Sequence, residues 1–177
     1  ALLVMLAAAC DSAVGSRWSG PPLVTVRGQA LVPKQREVPE PVRVALVWAR
    51  ASERWSVDSA NSLQAPWPTH FTVTATTLPS SDAQAVVVAY ADVNGNQQLD
   101  LVEADGALPH DVVLGASADA LPDGGASGTV LRYLDGTTPP ARGLQQGFNL
   151  VAPDGGALPF STELTLELTM NVSLEAW

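Results

Sequence analysis

Residues 92–103 read DVNGNQQLDLVE, and oxygen-bearing side chains recur through them at set places. Asp92, Asn94 and Asn96 alternate with Val93 and Gly95, and Asp100 and Glu103 close the stretch at places nine and twelve. Oxygens gathered from one short loop suit a hard cation such as Ca²⁺, which takes about six to eight of them at about 2.3–2.6 Å. With the backbone carbonyl of Gln98 at place seven, the candidate ligands are Asp92, Asn94, Asn96, Gln98, Asp100 and Glu103. Leu99, at place eight, is the apolar residue that would pin such a loop to a core.

Over its whole length the stretch resembles an EF-hand-type calcium loop, whose ligands come from places 1, 3, 5, 7, 9 and 12. It departs from that pattern at place six, where the family's turn glycine is replaced by Gln97, while Gly95 sits at place four. A non-glycine residue at positive φ is strained, so calcium geometry requires the backbone of Gln97 to reach the left-handed region. If it does not, the loop is only a polar turn. The approach to the loop is the apolar run AVVVAYA and not a helix, which resembles the strand-borne calcium loops of bacterial surface β-sandwich modules. The competing reading is a plain Asn94-Gly95 hairpin turn. Such a turn does not need Asp92, Asp100 and Glu103 at their spacings. The resemblance implies a structural clamp with weak affinity, about 10⁻⁴–10⁻³ M as in extracellular modules.

Cys10 is the chain's one cysteine, which excludes an intramolecular disulfide and a zinc cage of thiolates. It follows ALLVMLAAA, an apolar run too short to span a bilayer as a helix. The segment LAAAC resembles a bacterial lipoprotein signal, in which the cysteine begins the mature protein and carries the lipids. Leu6 lies one place further from Cys10 than the usual leucine, and the run starts without Met or basic residues, as a truncated signal would. The alternative is a buried terminal element with an inert core cysteine. The resemblance implies a signal-peptide core over 1–9, a lipidated Cys10 with a polar tether over 10–21, and one domain over 22–177. It also implies a location in the cell envelope, anchored to a membrane and facing the periplasm or the surface. The nearest resemblance is to envelope lipoproteins of high-GC bacteria, of myxobacterial type.

The elements that must position these residues are strands. LVTVRGQAL (23–31), PVRVALVWA (41–49) and HFTVTATTL (70–78) alternate apolar and polar residues with a period of two. STELTLELTMNVSLEAW (161–177) does the same, with Leu164, Leu166, Leu168, Met170, Val172 and Leu174 on one face. AQAVVVAYA (83–91) is apolar throughout, as expected of a central strand covered on both faces. DVVLG, GTVLRYLDG and QGFNLV add shorter runs, separated by Asp-Gly-Gly turns. Residues 50–68, with Trp55 and Trp67 among Ser, Asn and Pro, read as a long loop held by aromatic anchors. About eight strands make an all-β, antiparallel β-sandwich of Ig-like or transthyretin-like type.

The net charge of −9 and the lack of a basic stripe argue against nucleic acid as a partner. His70 and His110 are the only histidines, and no GxSxG elbow accompanies them. No catalytic residue is therefore assigned. The expected role is a lipid-anchored binding or structural module with one structural calcium and a protein or glycan partner in the envelope. Two alternatives remain at this point: a pilotin-like lipoprotein of a secretion apparatus, and a carbohydrate-processing or hydrolytic accessory enzyme.

Overall fold

A computed structural model describes residues 24–33, 37–39, 41–49, 56–79, 83–100, 111–118, 128–136, 140 and 143–168. The described residues contain no helix. Their strands, in chain order, are β1 (Thr25–Leu31), β2 (Val42–Ala49), β3 (Ser56–Leu63), β4 (Thr69–Thr74), β5 (Gln84–Ala91), β6 (Val112–Ala116), β7 (Val130–Leu134), β8 (Gly147–Val151), β9 (Ala157–Leu158) and β10 (Leu164–Glu167). They form a three-stranded sheet, β10-β1-β4, and a seven-stranded sheet, β3-β2-β5-β7-β8-β9, with β6 also paired to β5. The protein is an all-β sandwich, and the expected fold class holds.

Period-two alternation becomes burial. On β4 and just beyond it, Phe71, Val73 and Ala75 are buried while Thr72 and Thr76 are exposed. On β10, Leu164 and Leu166 are buried and Thr165 and Glu167 are exposed. These side chains meet Val42, Val44, Leu46 and Trp48 of β2 and Ala85, Val87 and Ala89 of β5 in the core between the sheets. The alternate residues of the same two strands, Ala45, Val47, Val86, Val88 and Tyr90, face the other way. They form a second cluster that Leu99 and Leu144 cover from loops. Burial on both faces explains why the β5 sequence is apolar throughout.

β5 pairs β2 along its length, from Gln84↔Ala49 to Ala91↔Val42. Its other edge is divided: β7 takes Gln84 and Ala85, and β6 takes Val88 to Ala91. Ser117 fills the fork. Its N–H donates to the Val87 carbonyl, its hydroxyl accepts from the Val87 N–H, and the hydroxyl donates to the Thr129 carbonyl. β6 thus lies beside the C-terminal half of β5, next to the loop that follows.

Three expectations change. Residues 50–68 are not one loop, because β3 occupies Ser56–Leu63 as the edge strand on β2. Its sequence SVDSANSL lacks an apolar alternation because an edge strand has one neighbour to satisfy. Trp55 lies outside the described residues, whereas Trp67 is half-buried against the main core. Second, β3 and the short β9 raise the strand total among the described residues to ten. Third, β10 runs parallel to β1, with Gly28↔Leu164 through Leu31↔Glu167 in register. A parallel pair needs a long crossover, and here nearly the whole domain separates the two strands. Residues 169–177, with the rest of the expected alternation, lie outside the described residues.

Candidate functional site

The loop after β5 is built as a continuation of the strand. The Asp92 N–H donates to the Pro41 carbonyl at 2.9 Å, one residue past the last pair of β5 with β2. Strand alternation then places Asp92 on the face of Val88 and Tyr90, beneath the loop, and it is only 2% exposed. From there the chain bends over residues 93–98 and returns at Leu99, which is buried in the second cluster. The expected apolar pin is in place.

Asx turns shape the bend. Oδ1 of Asn94 accepts the Asn96 N–H at 3.0 Å, and Oδ1 of Asn96 accepts the Gln98 N–H at 2.8 Å. Gly95 and Gln97 both lie at positive φ, 72° and 66°. Gln97, at place six of the stretch, therefore adopts a left-handed conformation. In that conformation its N–H donates to Oδ2 of Asp92 at 3.0 Å. The other carboxyl oxygen of Asp92, Oδ1, is buried and has no hydrogen-bond partner among the described residues.

Asp100 closes the ring. Its Oδ2 accepts from the side-chain amide of Asn94 at 2.8 Å and from that of Asn96. These bonds gather Asp92, Asn94, Asn96 and Asp100 around one bend, with Gln98 exposed on it. Glu103, the twelfth-place candidate, and His110 lie outside the described residues, as does Cys10. Among the described residues, no three His, Cys, Asp or Glu side chains are placed as a metal-holding group. The oxygen-bearing side chains that the bend brings together are thus two carboxylates and two amides.

One residue of the site was missed in the sequence. Asp111, just before β6, is 3% exposed and faces the loop from below. Its Oδ1 accepts the Val93 N–H and its Oδ2 the Asp100 N–H, both at 2.9 Å. Its own N–H donates to the Asp100 carbonyl at 2.8 Å. The signal available was an acidic residue heading the run DVVLG, but nothing local ties that run to the loop. Burial raises the Asp111 carboxyl above the usual carboxylate range, with the negative Asp92 and Asp100 adding to it; the two backbone N–H bonds act the other way. Beneath lies Tyr90, fully buried, its phenol pushed up to about 12 by desolvation. The Arg43 guanidinium beside it opposes that rise, and Asp111 and Asp92 reinforce it.

His70, the other histidine, is exposed on β4 opposite Gln29. No known protein family matches this chain, and no curated protein matches it either. The functional reading therefore rests on the geometry of the loop.

Proposed function

We propose that Asp92, Asn94, Asn96, the Gln98 carbonyl, Asp100 and Glu103 bind one structural calcium ion. The domain so braced serves as a binding or structural module of the bacterial envelope. The supporting observation is the Asp92 carboxyl. One of its oxygens accepts the Gln97 N–H, and the second is buried with no hydrogen-bond partner among the described residues. An unpaired buried carboxylate oxygen is costly, and a cation offsets that cost directly. The amide oxygens of Asn94 and Asn96 each hold one N–H and keep a second lone pair for an ion. Asp111 lies outside the twelve-residue stretch and its two carboxylate oxygens hold the backbone N–H groups of Val93 and Asp100, so it is assigned to supporting the loop and not to the ligand set. The few remaining carboxylates favour a weak site, and the loop's existing closure favours a clamp over a switch.

Calcium that binds the folded state alone must stabilise it. At about 10 mM calcium and an affinity of about 10⁻⁴–10⁻³ M, the gain is about 1.4–2.7 kcal/mol. For a domain of this size that is a melting shift of about 3–10 °C over chelator. An unchanged melt removes the clamp.

The envelope location rests on LAAAC and is independent of the loop. Lipid on Cys10 would anchor the domain to a membrane, each buried methylene contributing about 0.8 kcal/mol. Labelled fatty acid should enter the wild type and not Cys10→Ser; equal labelling of both excludes Cys10 as the acceptor. The reading assigns no catalytic residue, and its partner is an envelope protein or glycan.

A further inference from the structure

We propose that Asp111 is the positioning residue of the cation loop: it holds both limbs closed before an ion arrives and thereby sets the affinity. The inference rests on the calcium reading of the same loop. Asp111 stands outside the twelve-residue stretch, yet its carboxylate grips the bend on both sides. One carboxyl oxygen holds the Val93 N–H at the start of the bend, and the other holds the Asp100 N–H at its end. The Asp111 N–H returns a bond to the Asp100 carbonyl, so the residue bonds to Asp100 in both directions. The carboxylate is itself held: Asp111 leads into β6, whose Val112 and Val113 pair with Ala91 and Tyr90 at the end of β5. The strand that delivers Asp92 and the strand that delivers Asp111 are therefore neighbours in one sheet, and their register fixes the distance across the loop mouth.

A flexible loop must give up conformational freedom when it closes on an ion, and a loop already closed does not. Val93 is half exposed and belongs to neither buried cluster of the described residues. Leu99 seats the returning limb, but without Asp111 the ion would have to draw the first limb onto it.

The test is calcium titration by calorimetry of the full chain as wild type, Asp111→Asn and Asp111→Glu, with melting curves in chelator. Asparagine keeps the shape and loses one acceptor; glutamate keeps the charge and displaces it. Both should weaken calcium binding by about ten- to a hundredfold, as loss of an outer-sphere partner does elsewhere. Asn149→Ser cuts a comparable side-chain staple, to the backbone of Gln145 and Gly147, in the loop entering β8. It should lower the melting temperature without moving calcium affinity. Binding by Asp111→Glu as tight as wild type would overturn the positioning role in favour of charge alone. Should the Asp111 variants not fold, amide exchange in chelated wild type decides: slow exchange at Val93 and Asp100 supports the staple, and free exchange overturns it. If wild type binds no calcium, the calcium reading fails, while the exchange result still reports whether Asp111 closes the loop.

Discussion

The backbone N–H of Gln97 donates to Oδ2 of Asp92 at 3.0 Å, from a residue whose φ is 66°. The strained conformation and the hydrogen bond belong together: the left-handed turn at Gln97 aims its N–H back at the head of the loop. That bond occupies one oxygen of Asp92 and leaves the other facing no donor among the described residues.

The left-handed region costs a non-glycine residue about 1–2 kcal/mol, part of which glycine returns as unfolded-chain entropy. Gln97→Gly should therefore stabilise the chelated protein by about 0.5–1 kcal/mol and tighten calcium binding. Gln97→Val, β-branched at the same φ, should destabilise it by at least about 1 kcal/mol. Urea unfolding of the three proteins measures both. A glycine variant less stable than wild type shows that the turn does not form this way in solution.

Asp92→Asn should reverse its sign with the medium. The asparagine carbonyl can still accept the Gln97 N–H, and the substitution removes a buried charge that has Asp111 for a neighbour. In chelator the variant should match or exceed wild type. In about 10 mM calcium it should fall below wild type by about 1.4–2.7 kcal/mol, because it gains nothing from the ion. Paired melts with and without calcium decide, and parallel curves in both media would remove Asp92 from the ligand set.

How far the sequence carried depends on how local each signal is. The alternations of β4 and β10 name their buried faces because the three-stranded sheet they share packs on one face and leaves the other wet. The uniform run of β5 names a central strand, although not that its second cover is made by loop residues such as Leu99 and Leu144. The polar strand β3 reads as loop, since an edge strand carries little of its stability in its own sequence. The loop's run of oxygen-bearing side chains and its apolar pin at Leu99 are legible within a dozen residues. Asp111 is not, because its part in the loop depends on the pairing of β6 with β5, a tertiary relation that no local pattern announces.

Leu99→Ala tests the pin. Leu99 is 3% exposed and packs in the second cluster with Tyr90 and Val113. Truncating a buried leucine costs about 2–5 kcal/mol, and a loop site that can partly collapse belongs near the lower end. The variant should also bind calcium more weakly, since Leu99 precedes the ligand Asp100. Chemical unfolding gives the first quantity and calorimetric titration the second. A loss below about 0.5 kcal/mol would mean that the loop is not seated on the sheet.

Tyr90 supplies a prediction at the alkaline end. Its side chain is fully buried, and its hydroxyl has no hydrogen-bond partner among the described residues. Desolvation raises the phenol from 10.0 to about 12, against the pull of Arg43. The unfolded chain therefore releases this proton near pH 10, while the folded protein keeps it until about 12. Between those values the native state binds more protons than the unfolded one, so the stability this group contributes is complete below pH 10 and is lost as pH rises through about 12. The slope is at most about 1.4 kcal/mol per pH unit. Tyr90→Phe removes the titrating group and a buried hydroxyl that bonds to nothing described. At neutral pH it should be as stable as wild type or more so, and its stability should fall less steeply above pH 10. Urea unfolding from pH 8 to pH 12 separates the two proteins; the same alkaline slope in both would place the phenol in contact with solvent.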